Sequence, residues 1–276
     1  MSISKIEART GLGMLLTLTL GDASNGYAVE DVGGLDPVKS TISSSTFANL
    51  PGGKIQASRR EMRNILIKLK LEPNFAVGQT VRQLRTHLYS FFITDIDVSL
   101  RIYMDDGLTV DTAGRVETCE APLFTDEPRM NISIVCEDPD FIELEPIVVD
   151  DQLTVEDLDE FTITYEGSVP TGIQFVLNLD RSLTEFTIYQ RPPDNILRTL
   201  DFAAALVDND VLTINTVPGN KYITLTRTGV DSSLLYGMSP QSKWVTLMPG
   251  DNHFRVHAVG AAIPFTITYT PRHGGL

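Results

Sequence analysis

The chain is written largely in a period of two. Ile65, Ile67, Leu69 and Leu71 alternate with Leu66, Lys68 and Lys70, which places the first set on one face of a sheet and turns the lysines to solvent or to a neighbour. Leu16, Leu18 and Leu20 alternate with Thr17 and Thr19, and Ile96, Val98, Leu100 and Ile102 alternate with Asp97, Ser99, Arg101 and Tyr103. Met104-Asp105-Asp106-Gly107 then predicts a hairpin turn, with Leu108, Val110 and Val116 on the return and a further strand over Met130 to Val135. Between these runs, Tyr27 and Val29 enter a turn at Gly33-Gly34. Asp36-Pro37 and the β-branched pair Thr41-Ile42 follow, and Pro51-Gly52-Gly53 turns the chain into a basic segment. Thr80 to Phe92 departs from the pattern: Val81, Leu84, Leu88 and Phe91 recur at helical spacing behind Thr80 as N-cap, so one helix is expected there, covering a side of a small barrel or sheet.

The second half reads as eight strands: Phe161–Tyr165, Ile173–Leu179, Glu185–Tyr189, Val211–Ile214, Tyr222–Leu225, Trp244–Leu247, His253–Val259 and Phe265–Tyr269. Turns such as Pro218-Gly219-Asn220 separate them, which fits a sandwich of jelly-roll kind. The polar stretch with Glu143, Glu145, Pro146 and Asp150-Asp151 suggests a boundary near Ile147 to Leu153. The expectation is a mainly β protein with a β-barrel-like or split-barrel domain and one helix over residues 1–148, and a β-sandwich over 149–276.

Charge narrows the function. The net charge is −14 with 22 Lys+Arg against 36 Asp+Glu, and both halves are acidic. Gripping phosphate needs a basic footprint, so sequence-specific nucleic-acid binding is not expected, although DNA could pass such a surface without sticking. The one basic cluster runs from Lys54 to Lys70; it reads either as a solvated face or as a contact surface toward an acidic neighbour. Lys5 and Arg9 before GLGMLLTLTL imitate a secretory leader, but Asp22 sits where a cleavage region wants small neutral residues. A strand is expected instead, with no membrane insertion.

Chemistry is thin. Cys119 and Cys136 have no zinc spacing; they read as buried thiols, with a bridge between adjacent strands left open. His253 and His257 would share a helix face, but in a strand four residues span about 13 Å, too far for one ion. Acid clusters at Asp105-Asp106, Glu137-Asp138-Asp140, Asp150-Asp151 and Asp208-Asp210 lack the calcium-loop arrangement and suit turns. No nucleophile elbow, phosphate loop or dinucleotide fingerprint occurs, so no catalytic residue, cofactor or metal is assigned and an enzyme is not expected. Trp244, Tyr236 and Tyr222 could form a stacking platform for a sugar; core packing is the ordinary alternative.

The ordered set EDVGGLDP, SSSTFANLPGG and SRREMRNI, continued by LRTHLYSFF and by GRVETCEAPLFTDEP to DPDF, resembles the N-terminal domain of siphophage distal tail proteins over roughly the first half of the chain. Pro249-Gly250 with Asn252 resembles the PGxN turn before the penultimate strand of many such proteins. The resemblance implies a virion protein at the tip of a long non-contractile tail, assembled in the bacterial cytoplasm. It also implies a ring, hexameric by analogy, between the tail tube protein and the tail-tip hub, and a jelly-roll or galectin-like second domain. Arg59, Arg60 and Arg63 are then the expected subunit-interface residues. The alternative is a carbohydrate-binding module in the C-terminal sandwich.

Overall fold

In the computed structural model, residues 2–47, 51–122, 127–260 and 262–276 are described; residues 48–50 of the SSSTFANLPGG motif and 123–126 of GRVETCEAPLFTDEP lie outside them. The chain divides into two compact units, Met1–Leu144 with His273–Leu276, and Glu145–Arg272. In sequence the second unit is therefore an insertion near the end of the first.

Unit 1 contains β1 (Ile3–Thr10), β2 (Leu15–Thr19), β3 (Tyr27–Gly33), β4 (Ser40–Thr46), β5 (Gly53–Arg60), β6 (Arg63–Leu71), helix α1 (Val81–Phe91), β7 (Asp97–Met104), β8 (Thr109–Glu120), β9 (Arg129–Cys136) and β10 (Phe141–Glu143). Its antiparallel sheet has the order β2-β1-β7-β8-β9-β6-β3, with β10 adding to β8. The barrel-like expectation takes the form of an open sheet, since β2 and β3 end it without pairing to each other. Alternation decides the faces: Ile65, Ile67, Leu69 and Leu71 of β6 are buried, as are Val98, Leu100 and Ile102 of β7. Each such side chain contributes on the order of 2 kcal/mol when removed from water. Helix α1 starts at a capping box in which Thr80 Oγ1 accepts from Gln83 N while Gln83 Oε1 accepts from Thr80 N at 2.8 Å, and it buries Leu84, Leu88 and Phe91 in the same core.

Unit 2 is a two-layer sandwich. Strands β11 (Ile147–Leu153), β12 (Phe161–Tyr165), β13 (Gln174–Asn178), β14 (Leu183–Arg191), β15 (Arg198–Leu206), β16 (Val211–Asn215), β17 (Tyr222–Arg227), β18 (Val230–Ser233), β19 (Gly250–His257) and β20 (Pro264–Tyr269) form the sheets β11-β20-β13-β16-β17-β18 and β12-β19-β14-β15. Phe175 of one sheet stacks near Phe186 of the other at 6.1 Å between ring centroids, with Phe202, Phe254 and Phe265 in the same core. Ile147 and Val148 pair with Tyr269 and Thr268, so the polar stretch taken as a boundary already carries this unit's first strand.

Trp244–Leu247 does not form the expected strand. The buried Gln190 side chain holds this segment: Nε2 donates to Thr246 O at 2.7 Å and Oε1 accepts from Thr246 N at 3.2 Å, while Leu247 bridges Thr171. The backbone of Thr246 is thus satisfied by a side chain and that of Leu247 by a single bridge, in place of a continuous ladder.

The turn before β16 is fixed by an ion pair. Asp210 is 1% exposed; it accepts from Val207 N at 2.8 Å and, bidentately, from Arg227 Nε at 2.8 Å and Nη2 at 2.6 Å. The Arg227 hydrogen bond holds its carboxyl below the usual carboxylate range, against the opposing effect of burial. A depressed carboxylate contributes stability that is present above the unfolded pKa and lost as pH falls through the folded one. Unit 2 is expected to lose stability on acidification below about pH 4, and Asp210→Asn to flatten that dependence in thermal melts taken across pH.

Candidate interaction surfaces

Among the described residues, strands β4 and β5 pair only with each other, from Ser40↔Arg60 to Thr46↔Gly53 with an irregularity at Ser43/Ser44. Seven or eight residues of strand make an arm about 25 Å long. Every residue of β5 is exposed, and β4 is exposed but for two half-buried serine positions. Ile42, Phe47 and Ile55 are 56%, 54% and 63% exposed. A lone two-stranded hairpin is marginally stable in water, and its unpaired edges are templates for another chain. The arm is held at its base, where Glu61 N donates to Lys39 O at 2.9 Å and Thr41 Oγ1 donates to Glu61.

The basic cluster separates into used and unused charges. Lys68 pairs with Asp31 at 2.7 Å, Lys70 lies 3.3 Å from Glu72, and Arg60 pairs with the buried Asp140. Lys54 and Arg59, both on the arm, have no ion-pair partner among the described residues.

Arg63 overturns its expected role. It is 1% exposed, and its guanidinium is consumed inside unit 1: Nε donates to Pro139 O at 2.8 Å, Nη1 to Gly34 O and, at 2.9 Å, to Asp36 O, and Nη2 to Gly274 O. The group also lies 4.1 Å above the Phe141 ring. Burial pushes its pKa down, yet an arginine stays charged. Arg63 therefore ties three stretches of chain together and presents nothing to a neighbouring subunit. Gly34 belongs to this clamp: its φ is +85°, and a Cβ there would sit 1.9 Å from Asn64 O. The tail is fastened further, with Leu276 N donating to Leu35 O at 3.0 Å and His273 Nε2 lying 2.7 Å from Glu143 Oε1.

In unit 2 the three candidate aromatics do not form one platform. Trp244 packs partly buried against the core with Lys221 5.5 Å from its ring, and Tyr222 lies on β17 opposite Asn215. Tyr236 stands apart at 81% exposure, on a single 3-10 turn, Leu235–Gly237. Beside it, β14, β15 and β19 floor a groove of about 580 Å³ that neither Trp244 nor Tyr222 lines. His253 and His257 both lie on β19; His253 faces Thr162, at 2.9 Å, and His257 lines the groove.

Cys119 and Cys136 are free thiols. Burial pushes Cys119 up to about 11 and raises Cys136 as well, so neither is a thiolate nucleophile near neutral pH. Among the described residues no three His, Cys, Asp or Glu side chains are placed to hold a metal, and no helix is long and apolar enough to cross a membrane.

No curated protein matches the chain. Residues 166–273 match the family model of the siphovirus-type tail component, C-terminal domain, which includes the PGxN turn. The solved structure of the Dit (gp 19.1) protein of phage SPP1, described as a paradigm of the hub adsorption apparatus in phages infecting Gram-positive bacteria, superposes with a TM-score of 0.68 at 15% identity, covering 97% of this chain and 98% of that one. The baseplate of phage P2 in its activated conformation with Ca aligns at a TM-score of 0.47 and 10% identity, covering 98% of each chain. The resemblance to siphophage distal tail proteins, carried by motifs of the first half, is thus met by a sequence match in the second half and by a shared fold along the chain.

Proposed function

We propose that this chain is a structural protein of a long non-contractile phage tail, which closes with copies of itself into a six-membered ring at the distal end and joins the tail tube to the tip's host-recognition apparatus. The matched tail-component domain and the shared fold support the class. The arm carries the assembly: a hairpin exposed on both faces, bearing three exposed apolar side chains and two unpaired cations, gains a core only when another chain covers it. A second copy is the fitting cover, because the chain carries a net −14 and a basic arm finds complementary charge on it. Arm and receiving face are unlike surfaces, and a head-to-tail contact of that kind yields a ring when the rotation closes. Unit 1 supplies the ring, and the acidic exterior leaves DNA free to pass.

Arg59 and Lys54 are the charges to reverse, since Arg60 is occupied by Asp140. The double variant Lys54→Glu, Arg59→Glu is expected to weaken assembly at least about tenfold, 1.4 kcal/mol or more, with an unchanged melting temperature for the separated subunit. Sedimentation of wild type and variant over a concentration series checks it. Equal association of the two would remove the arm from the interface.

A further inference from the structure

From the groove on the outer face of β14, β15 and β19 we infer that unit 2 binds a neutral saccharide of two or three rings, independently of ring assembly. Tyr236 is the first observation. An aromatic side chain that is 81% exposed would be unremarkable on a loose loop, but here the backbone beneath it is fixed. Gly237 is buried against Phe202 so closely that a Cβ would lie 2.7 Å from the ring. Gly237 N donates to Leu234 O at 3.0 Å, Ser239 N donates to Asp201 O at 2.9 Å, and Ser242 Oγ bonds both Asp201 N and Asp201 O. The ring is therefore held out over the groove by structure that is itself bonded to β15, as a preformed stacking face needs.

The floor supplies the complementary chemistry. Cross-strand register sets Thr187 between Asp201 on β15 and His257 on β19. Thr187 Oγ1 donates to Asp201 Oδ1 at 3.0 Å, which leaves Asp201 Oδ2 as an acceptor. Glu185, Ser239 and His257 line the same groove, and the side chains of Glu185 and His257 have no hydrogen-bond partner among the described residues. Carboxylates that accept from vicinal hydroxyls, hydroxyls and an imidazole that do either, and one flat apolar ring form the donor and acceptor set that a sugar's two kinds of surface require. About 580 Å³ accommodates two or three rings. Two carboxylates disfavour an acidic sugar or a phosphate. Arg255 lies 4.1 Å over the ring of Tyr189, which lines the groove, and its positive charge offsets part of that of the carboxylates.

The full-length protein is screened against arrayed neutral and acidic di- to tetrasaccharides, with spermidine and an oligolysine peptide as cationic probes, and hits are titrated by calorimetry up to about 10 mM ligand. Expected is binding of at least one neutral saccharide in the micromolar to millimolar range, weakened at least about tenfold by Tyr236→Ala and by Asp201→Asn and unchanged by Tyr222→Ala. No neutral saccharide bound, a cationic or acidic ligand bound in its place, or binding indifferent to Tyr236→Ala would each overturn the inference. Tyr236 is exposed, so its removal leaves the fold intact and the test decisive.

Discussion

Replacing Arg63 by alanine is expected to cost unit 1 about 3–5 kcal/mol, the upper end of single-substitution effects. The side chain fills the inward position that precedes Ile65 on β6 and donates to the carbonyls of Gly34, Asp36, Pro139 and Gly274. Its loss removes the donors from these part-buried carbonyls, opens a cavity over the buried Phe141, and releases the tail residue Gly274 from its tie. Lysine is no substitute, because one ammonium has three donors and lacks the planar fork that reaches backbone on three sides; Arg63→Lys is expected to recover less than half of the loss. Differential scanning calorimetry checks both variants, as a drop of about 10 °C or more for alanine in the transition of unit 1. The same measurement on Arg59→Ala is expected to show no change beyond about 0.5 kcal/mol, separating the structural arginine from the surface one.

The second large effect is expected at Gln190. Its amide is 0% exposed and serves Thr246 at both N and O and, at 3.3 Å, Asn252 Oδ1. Asn252, also 0% exposed, donates to Met248 O at 2.7 Å and Gly250 O at 2.9 Å and accepts from Met248 N at 3.0 Å. Together with the Leu247–Thr171 bridge they stand in for the continuous ladder that Trp244–Met248 lacks. Gln190→Leu preserves bulk and removes both bonds to Thr246, leaving part-buried backbone groups unpaired at about 1–3 kcal/mol each. The expected loss is about 3 kcal/mol in unit 2, read from urea unfolding followed by Trp244 fluorescence, with amide exchange at Thr246 accelerated in step.

Much of this architecture was legible in the residues. Period-two runs marked the strands of the large sheet and one 3.6-residue run marked the helix, because burial on one face leaves that pattern directly. Arg63 was misread even though the same pattern pointed inward: it is in phase with Ile65, Ile67, Leu69 and Leu71. Arginine is ordinarily a surface residue, and its partners here are backbone carbonyls up to 211 positions away, which no local pattern announces. Strand β15 was hidden by Ala203-Ala204-Ala205, weak strand formers without alternation, and Trp244–Leu247 imitated a strand while having only a side chain and a single bridge as partners. The groove beside Tyr236 needed the sandwich to be built before β14, β15 and β19 could share a face; only the tyrosine itself was visible beforehand.

On the proposed reading, the exposed hairpin is completed by another copy of the chain. The most direct measurement is the native mass of the purified full-length protein beside a version in which residues 41–59 are replaced by a short glycine-serine turn. A species of six subunits for the intact chain, collapsing to one subunit in the armless version with an unchanged near-ultraviolet dichroism spectrum, is the expected result. Rings of equal size from both would contradict the account, since the arm would then contribute nothing to closure.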